Sequence, residues 1–519
     1  MTKQLVALGV ISILFHLNVF SQSTVEKGLH TINKNSLQSQ LAFLSSDWFE
    51  GREATTKGAY MAADYLASLF QQEGLLPAGE DSTFFQKVPL IIYEKSKSGH
   101  IILKKKNHSN SFKPYHDYIP PLVNSTNEIE APVFWGGFGF NSPTFKEFTA
   151  RQATGKIMVR LKGLPIQQAH SSYFGNLKDK SEQSLNTIKY DMAKEAGVIA
   201  IIEYDLNDPF LTTNAHPSPL NAVQAPTEKE LTKRSSGIYQ KYFQLPYTVN
   251  AKIPTYKVSQ AIMESLIPDF DNQLKLYLTN IEKSKPQSPP LTAQTVRLSV
   301  ASKSTFKTCR NVIARIEGSE FPDEIIVVGA HYDHLGAYDG YIWNGADDNG
   351  SGAIGVATIA KAFMATGVQP KRTVIFATWT AEERGLLGSH YFVDQFKDID
   401  KVKYYHNYDM IGRSYNPAKP DSTVSLLYTE SWKEAEQIAN KSNTDYNLGL
   451  KINFSPWDNP VGGSDNAYFA KKGIPIMWFH TGGHPEYHMP GDHVDKIDWQ
   501  KFEGIVKTSF LTLWELANE

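Results

Sequence analysis

A chain of 519 residues is longer than one hydrophobic core usually serves, and 41% hydrophobic with 20% charged side chains places it among ordinary globular proteins, not disordered or fibrous ones. A formal charge of −2, with a single short basic run at Lys104-Lys105-Lys106, argues against nucleic acid as a partner. The lone Cys309 excludes an intramolecular disulfide framework and reads as a small buried apolar residue.

The N-terminus carries Lys3, an apolar stretch from Leu5 to Phe20, and then Ser21-Gln22-Ser23. This is the layout of a secretory signal peptide, so residues 1–22 are expected to direct export to the periplasm, cell surface or exterior. His16 and Asn18 interrupt the stretch, which is also short for a bilayer span, so stable membrane insertion is not expected. Apolar residues then recur at helical spacing from Ser36 to Ser45 and from Thr56 to Gln72, with Gly74 placed to end the second helix. Residues 83–118 alternate polar and apolar positions as hairpin strands do.

Between about Asn127 and Pro268 the pattern changes. Strand-like Pro132-Val133-Phe134-Trp135 and Lys156 to Arg160 precede a helix around Thr187 to Glu195 and a strand Val198 to Ile202, and Pro286-Gln287-Ser288-Pro289-Pro290 lies on the way back. The expected division is a main domain made of 23–126 and 293–519, with 127–292 inserted between its parts. After Ala293, strands are expected at Cys309 to Glu317, Glu324 to Ala330, Arg372 to Thr380, Lys403 to Ile411 and Ile474 to Phe479. Helices are expected at Gly352 to Thr366, Gly388 to Gln395, Glu430 to Ser442, Ser464 to Lys472 and Trp499 to Leu516. Alternating strands and helices predict an α/β fold: a mixed, mostly parallel sheet flanked by helices on both faces.

Such sheets bind ligands outside the carboxyl ends of their strands, and residues with metal-binding side chains gather at those ends. His331 follows Ile325-Ile326-Val327-Val328-Gly329, and Asp333, two residues on, can orient an imidazole. Asn344-Gly345-Ala346-Asp347-Asp348-Asn349-Gly350-Ser351-Gly352 sets two aspartates at a helix start, where a simple N-cap competes with a metal site. Glu382-Glu383 ends the strand Val374 to Trp379, one carboxylate able to coordinate and the other to accept a proton. Asp409 closes the next strand, where a buried unpaired carboxylate would be costly. His484, His488 and His493 compete in a Gly- and His-rich loop; spacing does not choose among them.

These residues, in this order, resemble the co-catalytic zinc aminopeptidases, the family of bacterial leucyl aminopeptidases, glutamate carboxypeptidase and glutaminyl cyclase. The match covers His-Tyr-Asp-His-Leu-Gly at 331–336, the Asn-Gly-Ala-Asp-Asp-Asn-Gly-Ser-Gly run, Glu-Glu-Arg-Gly-Leu-Leu-Gly-Ser at 382–389, Asp-Met-Ile-Gly at 409–412 and Tyr-His-x-Pro-x-Asp at 487–492. The stretch from Leu41 to Arg52 resembles the family's opening, and the insertion a β-rich protease-associated domain. The resemblance implies two zinc ions bridged by Asp347, with His331 and Asp409 completing one site and Glu383 and His488 the other. It further implies Glu382 as general base to a water shared by the ions, Asp333 as the group orienting His331, and a cis peptide between Asp347 and Asp348. Two departures stand out: Asn466 where His is expected in Ser464-Asp465-Asn466, and Met489 where Thr is usual. The function expected is an exported metallopeptidase removing N-terminal residues from peptides. A carboxypeptidase or cyclase on the same scaffold, or an inactive binding module, are the alternatives. The sequence carries no signal for oligomeric state.

Overall fold

The computed structural model describes residues 24–95, 99–105, 107–114, 116–121, 128–141, 145–164, 177, 182–206, 241–248, 253–282, 288–292, 295–299, 302–338, 340–414 and 421–519. The expected signal segment 1–22 lies outside the described residues, as do Lys106, Pro286 and Gln287. The chain divides into two units, one holding the described parts of 24–90 and 306–519, the other those of 91–206 and 241–305. The boundary at Leu90/Ile91 falls ahead of the composition shift at Asn127. The hairpin strands Ile101–Lys104 and Ser109–Phe112, expected with the first domain, pair antiparallel with one another, and Ile101–Lys104 also pairs with the late strand Thr295–Leu298.

The first unit opens with two helices whose caps are written in the sequence. The Asn33 side chain accepts the Ser36 N–H at the start of α1 (Lys34–Leu44), and Thr56 accepts the Ala59 N–H at the start of α2 (Lys57–Gln72). Along α2 the buried residues Ala59, Ala62, Ala63, Leu66, Ala67 and Phe70 recur at helical spacing, so one face enters the core.

Its sheet contains β1 (Phe85–Lys95), β2 (Ser302–Ile316), β3 (Phe321–His331), β4 (Arg372–Trp379), β5 (Val402–Tyr408), β6 (Thr423–Thr429), β7 (Lys451–Trp457) and β8 (Ile476–His480), in the order β1-β2-β4-β3-β5-β8-β6-β7. The central strands β4, β3, β5 and β8 are mutually parallel, whereas β2 runs antiparallel to β4, and β6 antiparallel to β8. Because strand side chains alternate faces, Ile326, Val328 and Ala330 of β3 join a core with α1, α2, α3 (Gly352–Ala365) and α4 (Trp499–Asn518). Ile325 and Val327 join a second core containing Phe392 and Phe469 from the helices Leu387–Gln395 and Asn466–Lys471. Both faces are therefore covered, which is why β3 and β4 read as unbroken apolar runs.

Register brings the chemistry to one edge. His331 lies opposite Trp379, Gly329 opposite Asn407, and Tyr408 opposite Phe479, so the residues that follow β3, β4, β5 and β8 emerge side by side. Gly329 is required there: a Cβ would come within 2.5 Å of Trp379 Nε1 and 2.7 Å of the Tyr405 hydroxyl, which hydrogen-bond each other across β3. Gly329→Ala is expected to destabilise the unit by about 1–3 kcal/mol, read as a lower urea midpoint with unchanged slope.

The second unit is α/β in composition. Its five-stranded sheet, ordered Tyr118–Ile119, Thr255–Val258, Ala200–Tyr204, Ile157–Leu161, Val133–Trp135, is parallel except for the first strand, and a four-stranded sheet is antiparallel throughout. Its core contains Ile157, Val159, Ile202, Tyr256, Ile262 and Leu266, with the buried pair Arg160–Glu203 at 2.7 Å between adjacent strands. Among the described residues of the chain, no helix is long and apolar enough to cross a membrane.

Candidate metal centre

Three parallel strands deliver His331, the Glu382-Glu383 pair and Asp409, and two loops complete the group with Asp348 and His488. His331 Nε2 lies 3.5 Å from Asp348 Oδ1, 3.5 Å from Asp409 Oδ1 and 3.8 Å from Glu382 Oε2. On the other side, His488 Nε2 lies 3.2 Å from both Asp348 Oδ2 and Glu383 Oε2, and His334 Nδ1 lies 2.7 Å from Glu383 Oε1. Asp348 thus turns one carboxylate oxygen to each imidazole.

That position was expected for Asp347. The two aspartates are consecutive and Asp348 has an extended backbone (φ −101°, ψ 97°), so their side chains leave the turn in opposite directions. Asp347 faces the start of α3. Its Oδ1 accepts the Gly412 N–H at 2.6 Å and the Ser351 hydroxyl at 3.1 Å, and its Oδ2 lies 3.4 Å from His484 Nε2. The cis peptide also differs from expectation by one residue, joining Asp348 to Asn349. His484 therefore belongs to the Asp347 side, and His493 Nδ1 lies 3.4 Å from the Asn344 amide nitrogen.

Asp333 departs in detail. His331 Nδ1 is 3.1 Å from the Asp333 main-chain carbonyl and 3.8 Å from its carboxylate, so the carbonyl orients the ring. The Asp333 carboxylate instead accepts the Glu382 N–H at 3.0 Å, tying the carboxylate pair to the histidine loop. The Asp347-Asp348 turn is held by Asp492, whose carboxylate accepts the N–H groups of both aspartates at 3.0 Å. Asn466, the departure noted in the sequence, donates to the carbonyls of Pro460 and Gly462. His334 and Asp492 lie inside the motifs that carried the resemblance, yet nothing in their spacing separates them from ordinary loop residues.

Burial and charge decide the protonation of this cluster. Burial opposes charging of His331, but Glu382, Asp409 and Asp348 outweigh it and hold its pKa well above the ordinary histidine value. Burial likewise opposes a charged His488, and Glu383 and Asp348 overcome it. Glu383 is held well below the usual carboxylate range because His488 and His334 outweigh its burial, whereas burial raises Glu382 well above it. The carboxylates that raise both imidazoles are the charges that bound cations would answer in this pocket. Asp348 Oδ2 is buried and lies 3.2 Å from His488 Nε2. Nitrogen and oxygen donors without thiolate suit zinc.

Residues 311–512, which carry all of these groups, match the family model for peptidase family M28. That segment of the chain is similar to peptidase family M28. Within it, leucine aminopeptidase 2 of Trichophyton rubrum is 44% identical over 231 residues, 39% of this chain and 44% of that protein. The glutamate carboxypeptidase 2 homolog of Caenorhabditis elegans is 32% identical over 203 residues, 35% of this chain and 25% of that protein. The chain therefore spans less than half the length of these curated relatives. Among solved structures, an aminopeptidase from Aneurinibacillus sp. strain AM-1 superposes with a TM-score of 0.56 at 17% identity, covering 95% of this chain and 96% of that one. A zinc aminopeptidase from Bacillus subtilis gives 0.50 at 18%, covering 94% and 96%. At these identities the likeness establishes the fold alone.

Proposed function

We propose that this protein is an exported zinc aminopeptidase with two ions per chain. The observation that carries the reading is Asp348, one oxygen 3.5 Å from His331 and the other 3.2 Å from His488, with Asp409 beside the first imidazole and Glu383 beside the second. On this reading His331, Asp348 and Asp409 hold one ion and His488, Asp348 and Glu383 the other, with His334 bonded to Glu383. The M28 match over this segment and the leucine aminopeptidase similarity support it.

Zinc supplies Lewis-acid polarisation of the scissile carbonyl and a lowered pKa for water. The chain supplies the proton transfer. Glu382 lies within 3.8 Å of His331 yet is the more exposed of the two glutamates, 13% against 4% for their side chains, so its carboxylate is open to substrate. It takes the proton of the attacking water and passes it to the leaving amine. Glu383, more deeply buried and flanked by two imidazoles, stays a ligand. Residues 91–206 and 241–305 supply the inserted, protease-associated-type unit of this reading, supported by their separate core; the export assignment rests on the layout of residues 1–22.

The test is a panel of free, N-blocked and C-blocked peptides together with an aminoacyl chromogenic substrate. Release of the N-terminal residue from free and C-blocked peptides is expected, along with loss of activity on chelation, recovery with zinc, and two zinc ions per chain by metal analysis. Cleavage that requires a free C-terminus, or cyclisation of an N-terminal glutamine, would transfer the site to the carboxypeptidase or cyclase class. Hydrolysis that survives complete chelation overturns the metal-dependent reading.

A further inference from the structure

The M28 match begins at residue 311, yet a side chain far upstream reaches the centre. Arg52 is fully buried with a left-handed backbone (φ 52°), and its guanidinium bonds only to neutral main-chain carbonyls. Nε donates to Tyr332 at 2.7 Å, Nη1 to Asn344 at 2.6 Å and Leu44 at 3.1 Å, and Nη2 to Gly345 at 2.8 Å. Its own carbonyl accepts the His334 N–H at 3.3 Å. Among the described residues no carboxylate pairs with it directly. Burial lowers its pKa to about 10, and Asp492, Asp333, Asp348 and Glu383 pull it back, so the group stays charged at neutral pH.

A buried arginine usually faces a carboxylate, because an unpaired buried charge is costly. Here the fork is spent on holding backbone, and its charge answers the acidic cluster as a whole. The carbonyls chosen are specific: Tyr332 immediately follows His331, and Asn344 and Gly345 open the turn that ends in Asp348. Asp492 grips the other end of that turn through the amides of Asp347 and Asp348. Space is arranged to match, since a Cβ at Gly345 would lie 2.5 Å from the His334 ring.

We propose that Arg52 is a positioning residue of the metal centre, fixing the carbonyl end of the loops that aim His331 and Asp348 while Asp492 fixes the amide end. This rests on the metallopeptidase reading above. A residue that merely braces the fold would lower the stability of the metal-free and zinc-loaded proteins equally. A positioning residue lowers the extra stability that zinc confers.

The experiment measures urea unfolding with and without zinc, together with zinc affinity by competition with a chelator, for full-length wild type, Arg52→Lys and Asp492→Asn. Lysine keeps the charge but cannot span the four carbonyls with a planar fork. Both variants are expected to bind zinc about 10- to 100-fold more weakly and to gain correspondingly less stability from it. Ethylguanidinium is expected to restore part of the affinity to Arg52→Ala. Wild-type zinc affinity in Arg52→Lys overturns the proposal while leaving the peptidase reading intact, whereas a wild type that binds no zinc overturns that reading itself. Should Arg52→Lys not fold, Asp492→Asn decides: unchanged affinity there overturns the two-ended clamp.

Discussion

Exchanging Glu382 for Gln is expected to lower kcat by about 10²–10⁴-fold while leaving zinc content and KM close to wild type. Gln keeps the volume and one acceptor oxygen, so the Asp333 bond to the main-chain N–H at 382 survives and the loop keeps its course. What is lost is the ability to take a proton. The geometry also offers a rival role, because Glu382, His331 and Asp409 lie close enough to hold an ion together. The two roles separate cleanly: a ligand exchanged for an amide loses metal, whereas a base exchanged for an amide loses turnover. The rival is disfavoured because Asp348 and Asp409 each approach His331 Nε2 to 3.5 Å, nearer than the 3.8 Å of Glu382. A Glu382→Gln protein with depleted zinc, or with undiminished kcat, overturns the assignment.

How much of this was legible without coordinates follows from the physics of each element. The strands that end in His331 and ahead of Glu382-Glu383 have their C-terminal halves buried on both faces, so they read as continuous apolar runs with chemistry at their ends, whereas the strand ahead of Asp409 mixes Lys403, His406 and Asn407 with its apolar residues. By contrast β6 and β7 escaped notice: Thr423–Thr429 alternates buried and half-buried positions with Thr and Ser among them, and Lys451–Trp457 is an exposed edge containing Pro456. Which of two adjacent aspartates faces His331 and His488 was not readable, because the choice is made by backbone dihedrals at residues 347–349 that either register of the motif would permit. The roles of His334 and Asp492 depend on contacts across 49 and 145 residues of sequence, and that of Arg52 on contacts across 280 and more, none of which leaves a periodic trace.

The register of the aspartates gives the other large effect. Asp348→Asn is expected to leave the purified protein with less than one zinc per chain and to lower kcat/KM on the order of 10³-fold or more, since Lewis-acid assistance worth several kcal/mol goes with the ions. Asp347→Asn is expected to keep both ions with affinity about 10- to 100-fold weaker, because Asp347 acts through Gly412, Ser351 and His484 and faces away from the two imidazoles. Stability provides an independent sign. Metal-free wild type buries more carboxylate than its histidines can offset, so removing the Asp348 charge is expected to leave the metal-free protein as stable as wild type or more so, despite the loss of activity. Loss of activity in that variant would then reflect a missing ion and not an unfolded chain, and a thermal melt without zinc distinguishes the two. If Asp347→Asn strips the metal while Asp348→Asn retains it, the bridging role passes to Asp347 and the turn must differ from the one described.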